Sequence, residues 1–308
     1  MGRHAADRKK AGGLDRLPVP QKALDDLLRA ALAEDIGTGD VTTESLFSDK
    51  VIAEGRLVAK ADGVLCGLPV FCRVFALLSP KVSFHLLRKD GQTVRRGDAV
   101  AVVRGPAHAL LAGERTALNI LQRLSGIATL THAFSQAVGP RVLLKDTRKT
   151  TPLFRHLEKY AVRVGGGANH RFGLYDMVLI KDNHIACLMA AEGVSRSVAV
   201  RECVARAKAA TKGTLPVEVE VNSFCQAVAA AEAGADIVMF DHASASDVRR
   251  FSRWQESAGR KVVVEWSGGV TLRTIPRISH LPVDWVSAGC LTQSAPALDF
   301  SFEIPCSS

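Results

Sequence analysis

Short apolar runs, each followed by charged or small residues and then by a stretch with helical periodicity, recur through the second half of this 308-residue chain. Repeated strand and helix units predict parallel strands that are joined by right-handed crossovers. Six such units predict an α/β fold built on an open, TIM-like α/β barrel. The runs that we interpret as strands are 142–145, 177–181, 217–221, 237–240, 262–265 and 285–287.

A doubly wound open sheet is the alternative arrangement for such units. That fold class commonly carries a G-x-G-x-x-G turn after an early strand. No such motif follows an early strand here, which favours the barrel. Helical periodicity between the runs is clearest in 195–211, 223–233 and 245–258.

The first half of the chain is organised differently and predicts an α+β module. Residues 1–20 are polar and end in Pro-Val-Pro, which predicts a disordered tail. Periodicity in 107–137 predicts a long helix with a break at Gly126. The remaining predicted elements are a helix at 22–34, a turn at 37–43, a strand at 51–60, a helix at 67–78, a strand at 82–87 and a hairpin at 91–104.

Composition and charge exclude several classes of function. No apolar run approaches the roughly 18 residues that span a bilayer, so we expect no membrane association. The net charge is +9, yet the first 22 residues hold a net +4, and only 6% of residues are aromatic. The sequence therefore offers neither a long basic stripe nor stacking platforms, and we expect no nucleic-acid partner. No signal peptide is recognisable, which predicts a cytoplasmic protein.

The cysteine pattern predicts no disulfide framework and no zinc site. The chain has seven cysteines, an odd number, and no C-x-x-C motif. We interpret them as small residues that are buried among apolar side chains.

Charged side chains cluster at the carboxyl ends of the predicted strands, which is the edge that carries the active site in parallel barrels. Turns do not require Lys, Glu and Asp within the last residues of a strand, so these clusters indicate a functional site. Arginine forks match carboxylates and phosphates, and the cations therefore predict a ligand with several negative charges. The cations are Arg148, Lys149, His170, Arg171 and Lys181.

Two glycine-bearing segments follow the last two predicted strands and predict a phosphate site. Ser267-Gly268-Gly269 follows the fifth run, and Ala288-Gly289 follows the sixth. Accessible backbone N–H groups and the N-termini of following helices both favour phosphate. Barrels often bind phosphate after these strands.

Glu220 and Asp241 are the anions among these cations. One interpretation makes them salt-bridge partners that hold the cations in place. The other makes them ligands of Mg²⁺, directly or through water, that also stabilise a cationic sugar transition state. Mg²⁺ is typically held by one or two carboxylates together with substrate phosphates, which favours the second interpretation.

Several long motifs occur in a fixed order along the chain. They are Glu34-Asp-Ile-Gly-Thr-Gly-Asp-Val-Thr-Thr43, Gly113-Glu-Arg-Thr-Ala-Leu-Asn119, Asp146-Thr-Arg-Lys-Thr-Thr-Pro152, Leu157-Glu-Lys-Tyr-Ala-Val162, Gly165-Gly-Gly-Ala-Asn-His-Arg171, Leu179-Ile-Lys-Asp-Asn-His184, Glu218-Val-Glu-Val221, Ser267-Gly-Gly269 and Ser294-Ala-Pro-Ala-Leu-Asp299. Together they resemble the quinolinate phosphoribosyltransferase family, and the resemblance covers nearly everything after residue 20.

The resemblance implies an N-terminal α/β sandwich domain followed by the barrel. The implied bounds are 21–128, completed by 296–308, for the first domain and 129–295 for the second. The family pattern also implies a homodimer in which the N-terminal domain of one subunit closes the barrel mouth of the other. Assembly beyond the dimer is left open. Arg115 would then reach the substrate across the interface.

The implied activity transfers phosphoribose from phosphoribosyl pyrophosphate to quinolinate with decarboxylation, giving nicotinate mononucleotide, pyrophosphate and CO₂ in NAD biosynthesis, with Mg²⁺ as cofactor. The implied catalytic residues are Lys149, Lys181, Glu220 and Asp241, of which the acidic pair would also bind the metal. The implied substrate-binding residues are Arg115, Arg148, Lys149, His170, Arg171, Lys181, Ser267, Gly268, Gly269, Ala288 and Gly289.

Four positions depart from the family pattern. Leu153 stands where the family usually has glycine, and a positive φ there would be strained. His242 replaces a usual asparagine, Trp266 replaces a small or aliphatic residue before the Ser-Gly-Gly turn, and Gln293 replaces a frequent histidine. These departures affect fine substrate contacts and leave the reaction class unchanged.

Two other functions stay open. One is a paralogue on the same scaffold with another acceptor, such as the relatives that act in molybdenum utilisation; the intact Arg-Lys-Thr-Thr-Pro and Asn-His-Arg motifs argue against it. The other is a non-catalytic protein that binds anions or nucleic acid. Its binding would weaken steeply with salt and would tolerate the loss of Glu220 and Asp241.

Overall fold

The computed structural model describes residue 17 and residues 19–48 and 50–304. The chain divides into two compact units. The first takes the described residues up to His132, then Thr150–Gly166, and resumes at Leu291; the second takes Ala133–Lys149 and Gly167–Cys290. The domain bounds expected from the sequence stay a prediction. Most of the predicted disordered tail, residues 1–20, lies outside the described residues.

Helices and short strands form the chain up to residue 138, and the separate helices and strands predicted there are confirmed. The predicted hairpin at 91–104 is wrong, because Thr93–Val94 pairs with Gly63–Val64, whereas Ala99–Pro106 pairs with two other strands. The predicted turn at 37–43 is wrong at its end, because the Asp40 carboxylate accepts the Thr43 N–H at 3.0 Å and starts a helix. The elements are α1 (Gln21–Ile36), α2 (Val41–Leu46), β1 (Ile52–Ala59), β2 (Gly63–Val64), α3 (Leu68–Leu78), β3 (Ser83–Leu86), β4 (Thr93–Val94), β5 (Ala99–Pro106) and α4 (Ala107–Val138).

A four-stranded antiparallel sheet forms the first unit, in the order β12-β1-β5-β3. β12 (Phe300–Glu303) is the last strand of the described chain. Its Phe302 ring lies 5.7 Å from the ring of Phe75 on α3, measured between centroids. A Cβ at Gly55 of β1 would lie 2.1 Å from the Phe302 ring, so glycine is needed beside it. The end of the chain therefore completes the core of the first unit.

Helix α5 (Arg155–Val164) belongs to the first unit, although in sequence it lies between two segments of the second. The Tyr160 hydroxyl donates to Asp90 at 2.8 Å. The buried Glu158 carboxylate accepts from the Arg123 guanidinium on α4, also at 2.8 Å. These charge-assisted contacts attach α5 to the first unit.

Helix α4 continues through Gly126, so the predicted break at that residue is wrong. A close approach of backbone explains the glycine: a Cβ there would lie 1.9 Å from the carbonyl oxygen of Pro296. A glycine inside a helical pattern here marks contact with another segment and not a helix end.

Six strands, all paired in parallel, form the sheet of the second unit in the order β6-β11-β10-β9-β8-β7. β7 to β11 follow one another in sequence order across the sheet and β6 lies beyond β11, so no switch point divides the sheet, and the doubly wound alternative is wrong. The predicted strand and helix units are confirmed. They are β6 (Leu143–Lys145), β7 (Val178–Ile180), α6 (Asp182–Glu192), α7 (Arg196–Thr211), β8 (Val217–Val221), α8 (Phe224–Glu232), β9 (Ile237–Asp241), α9 (Ala245–Ser257), β10 (Val263–Ser267), α10 (Ile275–Ile278), β11 (Trp285–Ser287) and α11 (Cys290–Gln293).

The register of this sheet brings acidic side chains from separate strands to one face. Residues that pair in parallel strands point to the same side, and side chains alternate along each strand. Glu220 of β8 and Glu265 of β10 both pair with Met239 of β9, so the two carboxylates share a face. Glu218 lies on that face too, because it precedes Glu220 by two residues.

The next row towards the carboxyl ends of the strands lies on the same face. Ser267 follows Glu265 by two residues and pairs with Asp241. Ser287 pairs with Lys145 of β6. This row therefore combines a carboxylate, two hydroxyls and an ammonium group at the edge where the sequence predicts a site.

The interpretation of the cysteines as buried residues is confirmed only in part. Cys66 is buried, whereas Cys187 and Cys225 are exposed, and all described cysteines are free thiols. Cys306 lies outside the described residues. Within the described part of the chain, no helix combines the length and the apolar character needed to cross a bilayer.

The Gly126→Ala substitution tests the close approach at α4. It should lower the free energy of unfolding by about 2 kcal/mol, because the added Cβ meets backbone atoms that cannot move aside easily. Gly113→Ala in the same helix is the matched control, since its Cβ would meet side-chain atoms of Leu78 and Phe75 at 2.9 Å. Denaturant unfolding measures both variants. Equal stabilities would contradict the proposed role of Gly126.

Candidate active site

Asp146 organises the loop that carries the predicted Asn-His-Arg motif. This carboxylate follows β6 and is fully buried. It accepts the His170 backbone N–H at 2.8 Å and the Asn169 side-chain amide at 2.7 Å. Ala168 forms a parallel bridge with Lys145 at the end of β6. The loop is therefore fixed to the sheet edge, and His170 is placed over the acidic face.

Three buried side chains meet at this point. His170 Nε2 lies 3.1 Å from Glu218 Oε2 and 3.4 Å from Glu265 Oε2. Both glutamates have no exposed surface. Ser287 Oγ donates to the other carboxylate oxygen of Glu265. We call His170, Glu218 and Glu265 the buried triad.

The buried triad retains one additional proton near neutral pH. Burial and the Glu265 carboxylate raise the pKa of Glu218 to about 7. Burial lowers the pKa of His170, but the contacts with Glu218 and Glu265 outweigh it and raise that pKa to about 9. Nδ1 of His170 accepts the Arg171 backbone N–H at 2.8 Å, so it carries no proton. The additional proton is therefore shared by the coupled groups of the triad, and Nε2 carries the ring proton.

This proton arrangement argues against a metal ion within the buried triad. The potential ligand atoms lie within 4.8 Å of one another, which is a suitable spacing for a small cation. However, an imidazole binds metal through a nitrogen lone pair. With Nδ1 accepting the Arg171 N–H, the lone pair of Nε2 is occupied by the ring proton.

Two predicted cations lie close together beside the buried triad. Burial and the Arg148 guanidinium both lower the pKa of Arg171, which shows that the two positive charges repel. Arg171 is buried, and its Nη1 donates to the Met177 carbonyl at 3.0 Å. Two guanidinium groups held together in this way favour a multiply charged anion.

Lys145 is a further cation on this face that the sequence analysis did not assign to the site. Its Nζ lies 3.7 Å from the centroid of the Trp285 ring and 3.4 Å from the Asn169 carbonyl oxygen. A cation–π contact of this kind stabilises an ammonium group at a partly buried position. The signal in the sequence was its place at the last residue of an apolar run.

The predicted acidic pair lines a cavity of about 340 Å³ together with Asp182, Asn222 and His242. Burial raises the pKa of Glu220, and the Asp241 carboxylate raises it further, so the two acidic groups are close. Lys181 Nζ lies 3.9 Å from Glu220 Oε2, and about half of the Lys181 side chain is exposed. The cavity therefore offers hard oxygen donors and one cation at the open edge of the sheet.

The predicted phosphate loops follow β10 and β11. Gly268 and Gly269 adopt φ values of 83° and 61°, which are left-handed and favour glycine. Ala288 donates its N–H to the Lys145 carbonyl at 3.0 Å, which fixes the second loop. The helices after these loops are four residues long, so they add little of the dipole that the sequence analysis expected.

The positions that depart from the family pattern have identifiable environments. Leu153 has a φ of 66° and His242 a φ of 48°, so both adopt the strained left-handed conformation. A Cβ at Gly268 would lie 2.8 Å from the His242 ring. Trp266 alternates with Glu265 along β10 and lines a cavity of about 670 Å³ together with His242, Gly268 and Gly269. Gln293 is exposed at the end of α11.

Not all predicted site residues come together within the second unit. Arg115 is exposed on α4 in the first unit. Lys149 is exposed at the end of the β6 loop, with its backbone N–H bonded to Thr147 Oγ1 at 3.1 Å. Glu218 and Glu265 belong to β8 and β10 and were not predicted as site residues. Their contact with His170 depends on register between strands, which no local pattern reveals.

Comparisons with known proteins agree with this geometry. The model of the N-terminal domain of quinolinate phosphoribosyl transferase matches residues 40–125, and that of the C-terminal domain matches residues 127–303. The nicotinate-nucleotide pyrophosphorylase (carboxylating) of Homo sapiens is 41% identical over 291 residues, covering 94% of each chain. A probable enzyme of the same name from Bacillus subtilis is 41% identical over 282 residues, covering 91% of this chain and 93% of the relative.

A solved structure gives the same result. NadC from Streptococcus pyogenes superposes with a TM-score of 0.85 at 43% identity, covering 94% of this chain and 98% of that one. The fold and the site thus define a phosphoribosyl-transferring enzyme of the pentosyltransferase class. More narrowly, the chain belongs to the quinolinate phosphoribosyltransferase family.

The buried triad predicts a specific dependence of stability on pH. The pKa values of Glu218 and His170 lie above their ordinary values of 4.5 and 6.5, so the bound proton stabilises the folded state at low pH. That contribution is lost as pH rises through about 7 and then about 9. We expect the free energy of unfolding to fall by roughly 2 kcal/mol between neutral and alkaline pH.

The Glu218→Gln variant is the comparison for this measurement, because its amide stays neutral at every pH. Denaturant unfolding at about pH 6 and about pH 9 should show a smaller decrease in the variant than in the wild type. The same decrease in both proteins would contradict the assignment of the proton to the buried triad.

Proposed function

We propose that this protein transfers phosphoribose from phosphoribosyl pyrophosphate to quinolinate and releases pyrophosphate and CO₂, giving nicotinate mononucleotide for NAD biosynthesis. The observation that carries the proposal is the pair of mutually repelling guanidinium groups, Arg148 and Arg171, at the same sheet edge as the acidic cavity of Glu220 and Asp241. The two guanidinium groups match a dianionic pyridine. The acidic cavity matches a polyanionic sugar phosphate that binds together with Mg²⁺. Membership of the family supports the same reaction.

Positioning and electrostatics carry the proposed reaction. The pyridine nitrogen attacks C1 of the ribose, so that an N–C1 bond forms while the bond from C1 to the pyrophosphate oxygen breaks with its electron pair. Positive charge that develops on the sugar is stabilised by the Glu220 carboxylate. The cationic pyridinium then accepts electrons as the 2-carboxylate leaves as CO₂, and C2 takes up a proton. Lys149 and Lys181 are the candidates for its donor.

The remaining predicted residues hold the substrates in place. Arg148, His170 and Arg171 were expected to bind quinolinate, and the glycine loops the 5′-phosphate. The φ values of Gly268 and Gly269 support the second role, since these glycines leave backbone N–H groups accessible. Holding two reactants in this way contributes much of the rate enhancement of bimolecular transfers.

Mg²⁺ is the cofactor that we propose for this site, held by Glu220 and Asp241 directly or through water. The donor set fits, because two neighbouring carboxylates raise the local negative potential, and hard oxygens suit this ion. When bound, Mg²⁺ would neutralise charge on the leaving pyrophosphate. Lys181 is attracted to the same carboxylates at 3.9 Å and would hold a nearby anionic group.

We also propose that the parallel sheet curls into an open, TIM-like barrel. β6 and β7, consecutive strands, are at opposite ends of the sheet, and the loop between them bridges to β6 at Ala168. Consecutive strands at the two ends of a sheet are what an open barrel would have at its gap. The homodimer and the cytoplasmic location stay predictions from the sequence.

The activity is tested directly with quinolinate, phosphoribosyl pyrophosphate and Mg²⁺. We expect nicotinate mononucleotide as the product, detected by chromatography. Glu220→Gln should lower kcat/KM by about 100-fold or more, because it removes charge stabilisation of the sugar cation. Glu256→Gln on the exposed surface of α9 is the matched control and should keep wild-type activity.

Two outcomes would contradict the proposed function. Product from nicotinate but not from quinolinate would reject the acceptor. Anion binding that survives Glu220→Gln, without turnover in the wild type, would favour the non-catalytic alternative.

Mixing two inactive variants tests the predicted site across subunits. Arg115→Ala and Lys181→Ala should each abolish turnover, because each removes one contribution to every site. Random exchange of subunits should restore about one quarter of wild-type activity, since half of the dimers then hold one intact site. Absence of any rescue after verified subunit exchange would contradict a role for Arg115 in the site of another subunit.

A further inference from the structure

Both nitrogens of the His170 ring are directed at groups of the protein. Nδ1 accepts the Arg171 backbone N–H at 2.8 Å. Nε2 faces Glu218 at 3.1 Å and Glu265 at 3.4 Å. An imidazole has two hydrogen-bonding atoms and no others. The ring therefore has no polar atom left to recognise a substrate carboxylate.

The ring is held by separate elements of the sheet. Glu218 belongs to β8 and Glu265 to β10, and Ser287 of β11 fixes Glu265 through its hydroxyl group. The backbone N–H of His170 is bound by Asp146 after β6 at 2.8 Å. These partners are all buried, so each lost contact would leave a desolvated polar group. His170 is thus among the most firmly positioned side chains at this edge.

The group that depends on this arrangement is Arg171. Its backbone N–H is anchored on the His170 ring, and its Nη1 on the Met177 carbonyl at 3.0 Å. Its buried Nε has no hydrogen-bond partner among the described residues. An arginine that is anchored through its backbone and through one guanidinium nitrogen, and that retains an unused N–H, is suited to bind a planar carboxylate in one orientation.

We propose that His170 is a positioning residue that orients Arg171 through their direct hydrogen bond. Glu218 and Glu265 hold the His170 ring in place. Of these four residues, only Arg171 contacts quinolinate. This inference rests on the proposed function, in which Arg171 binds a carboxylate of the acceptor. It replaces the direct substrate contact that the sequence resemblance implied for His170. The placement of both ring nitrogens carries the inference: Nδ1 is hydrogen-bonded to Arg171, and the buried Nε2 lies at ion-pair distance from two carboxylates.

A double-mutant cycle distinguishes positioning from contact. His170→Asn, Arg171→Lys and the double variant are compared by kcat/KM for quinolinate, taken from initial slopes so that weak binding stays measurable. We expect His170→Asn to lower kcat/KM about tenfold and Arg171→Lys to lower it more. If His170 acts through Arg171, the double variant should match Arg171→Lys within about twofold. Independent contacts would instead multiply the two losses and overturn the inference.

The KM values for the two substrates add a second readout. His170→Asn should raise KM for quinolinate and leave KM for phosphoribosyl pyrophosphate nearly unchanged, because Arg171 is assigned to the acceptor. A general loss of structure would change both values. His280→Asn, the same substitution at an exposed histidine, is the matched control and should keep wild-type kinetics.

Glu265→Gln keeps the inference testable if His170→Asn does not fold. It preserves side-chain shape at a position that has no exposed surface. We expect it to raise KM for quinolinate and to add no further loss to Arg171→Lys. Additive losses would contradict the inference. Failure of the wild type to convert quinolinate would overturn the proposed function instead, so the two failures are distinguishable.

Discussion

Buried carboxylates on one face of a parallel sheet need partner groups that offset their loss of hydration. The second unit is organised around that requirement. Removing a carboxylate from water costs several kcal/mol unless it is paired and hydrogen-bonded. Glu218 and Glu265 have no exposed surface, and the His170 ring between them supplies the compensation. The Asn-His-Arg loop is thereby held at the sheet edge, and Arg171 is anchored on the His170 ring.

Much of the second unit was predictable because the hydrophobic pattern of its elements and the way they are connected can both be read locally in the sequence. Period-2 and period-3.6 patterns define strands and helices, and parallel connection places every strand end at one edge. The prediction of Arg148, Glu220 and Asp241 as site residues followed from strand ends, and that of Arg171 from the glycine-rich loop. Arg148 lowers the pKa of Arg171 and Asp241 raises that of Glu220, so the members of each pair are near each other, and their common site stays a prediction.

What the sequence did not reveal depends on contacts between distant segments. Gly126 looked like a helix end because its neighbour, the Pro296 carbonyl, is remote in sequence. The contact of His170 with Glu218 and Glu265 depends on how the His170 loop, β8 and β10 are aligned with one another. The alternation of side chains within one strand gives no information about that alignment. The roles of Lys145 and of the left-handed Leu153 and His242 likewise come from tertiary structure.

The pairing of β12 with β1 has a consequence for synthesis of the protein. Arg56 pairs with Glu303, so the first sheet is incomplete until nearly the whole polypeptide has left the ribosome. Until then one edge of β1 offers unpaired backbone groups, and the Phe75 ring lacks its partner Phe302. Translation at about 5–20 residues per second leaves this edge open for tens of seconds or less. The nascent chain therefore exposes an unpaired strand edge and an aromatic surface that the finished fold conceals.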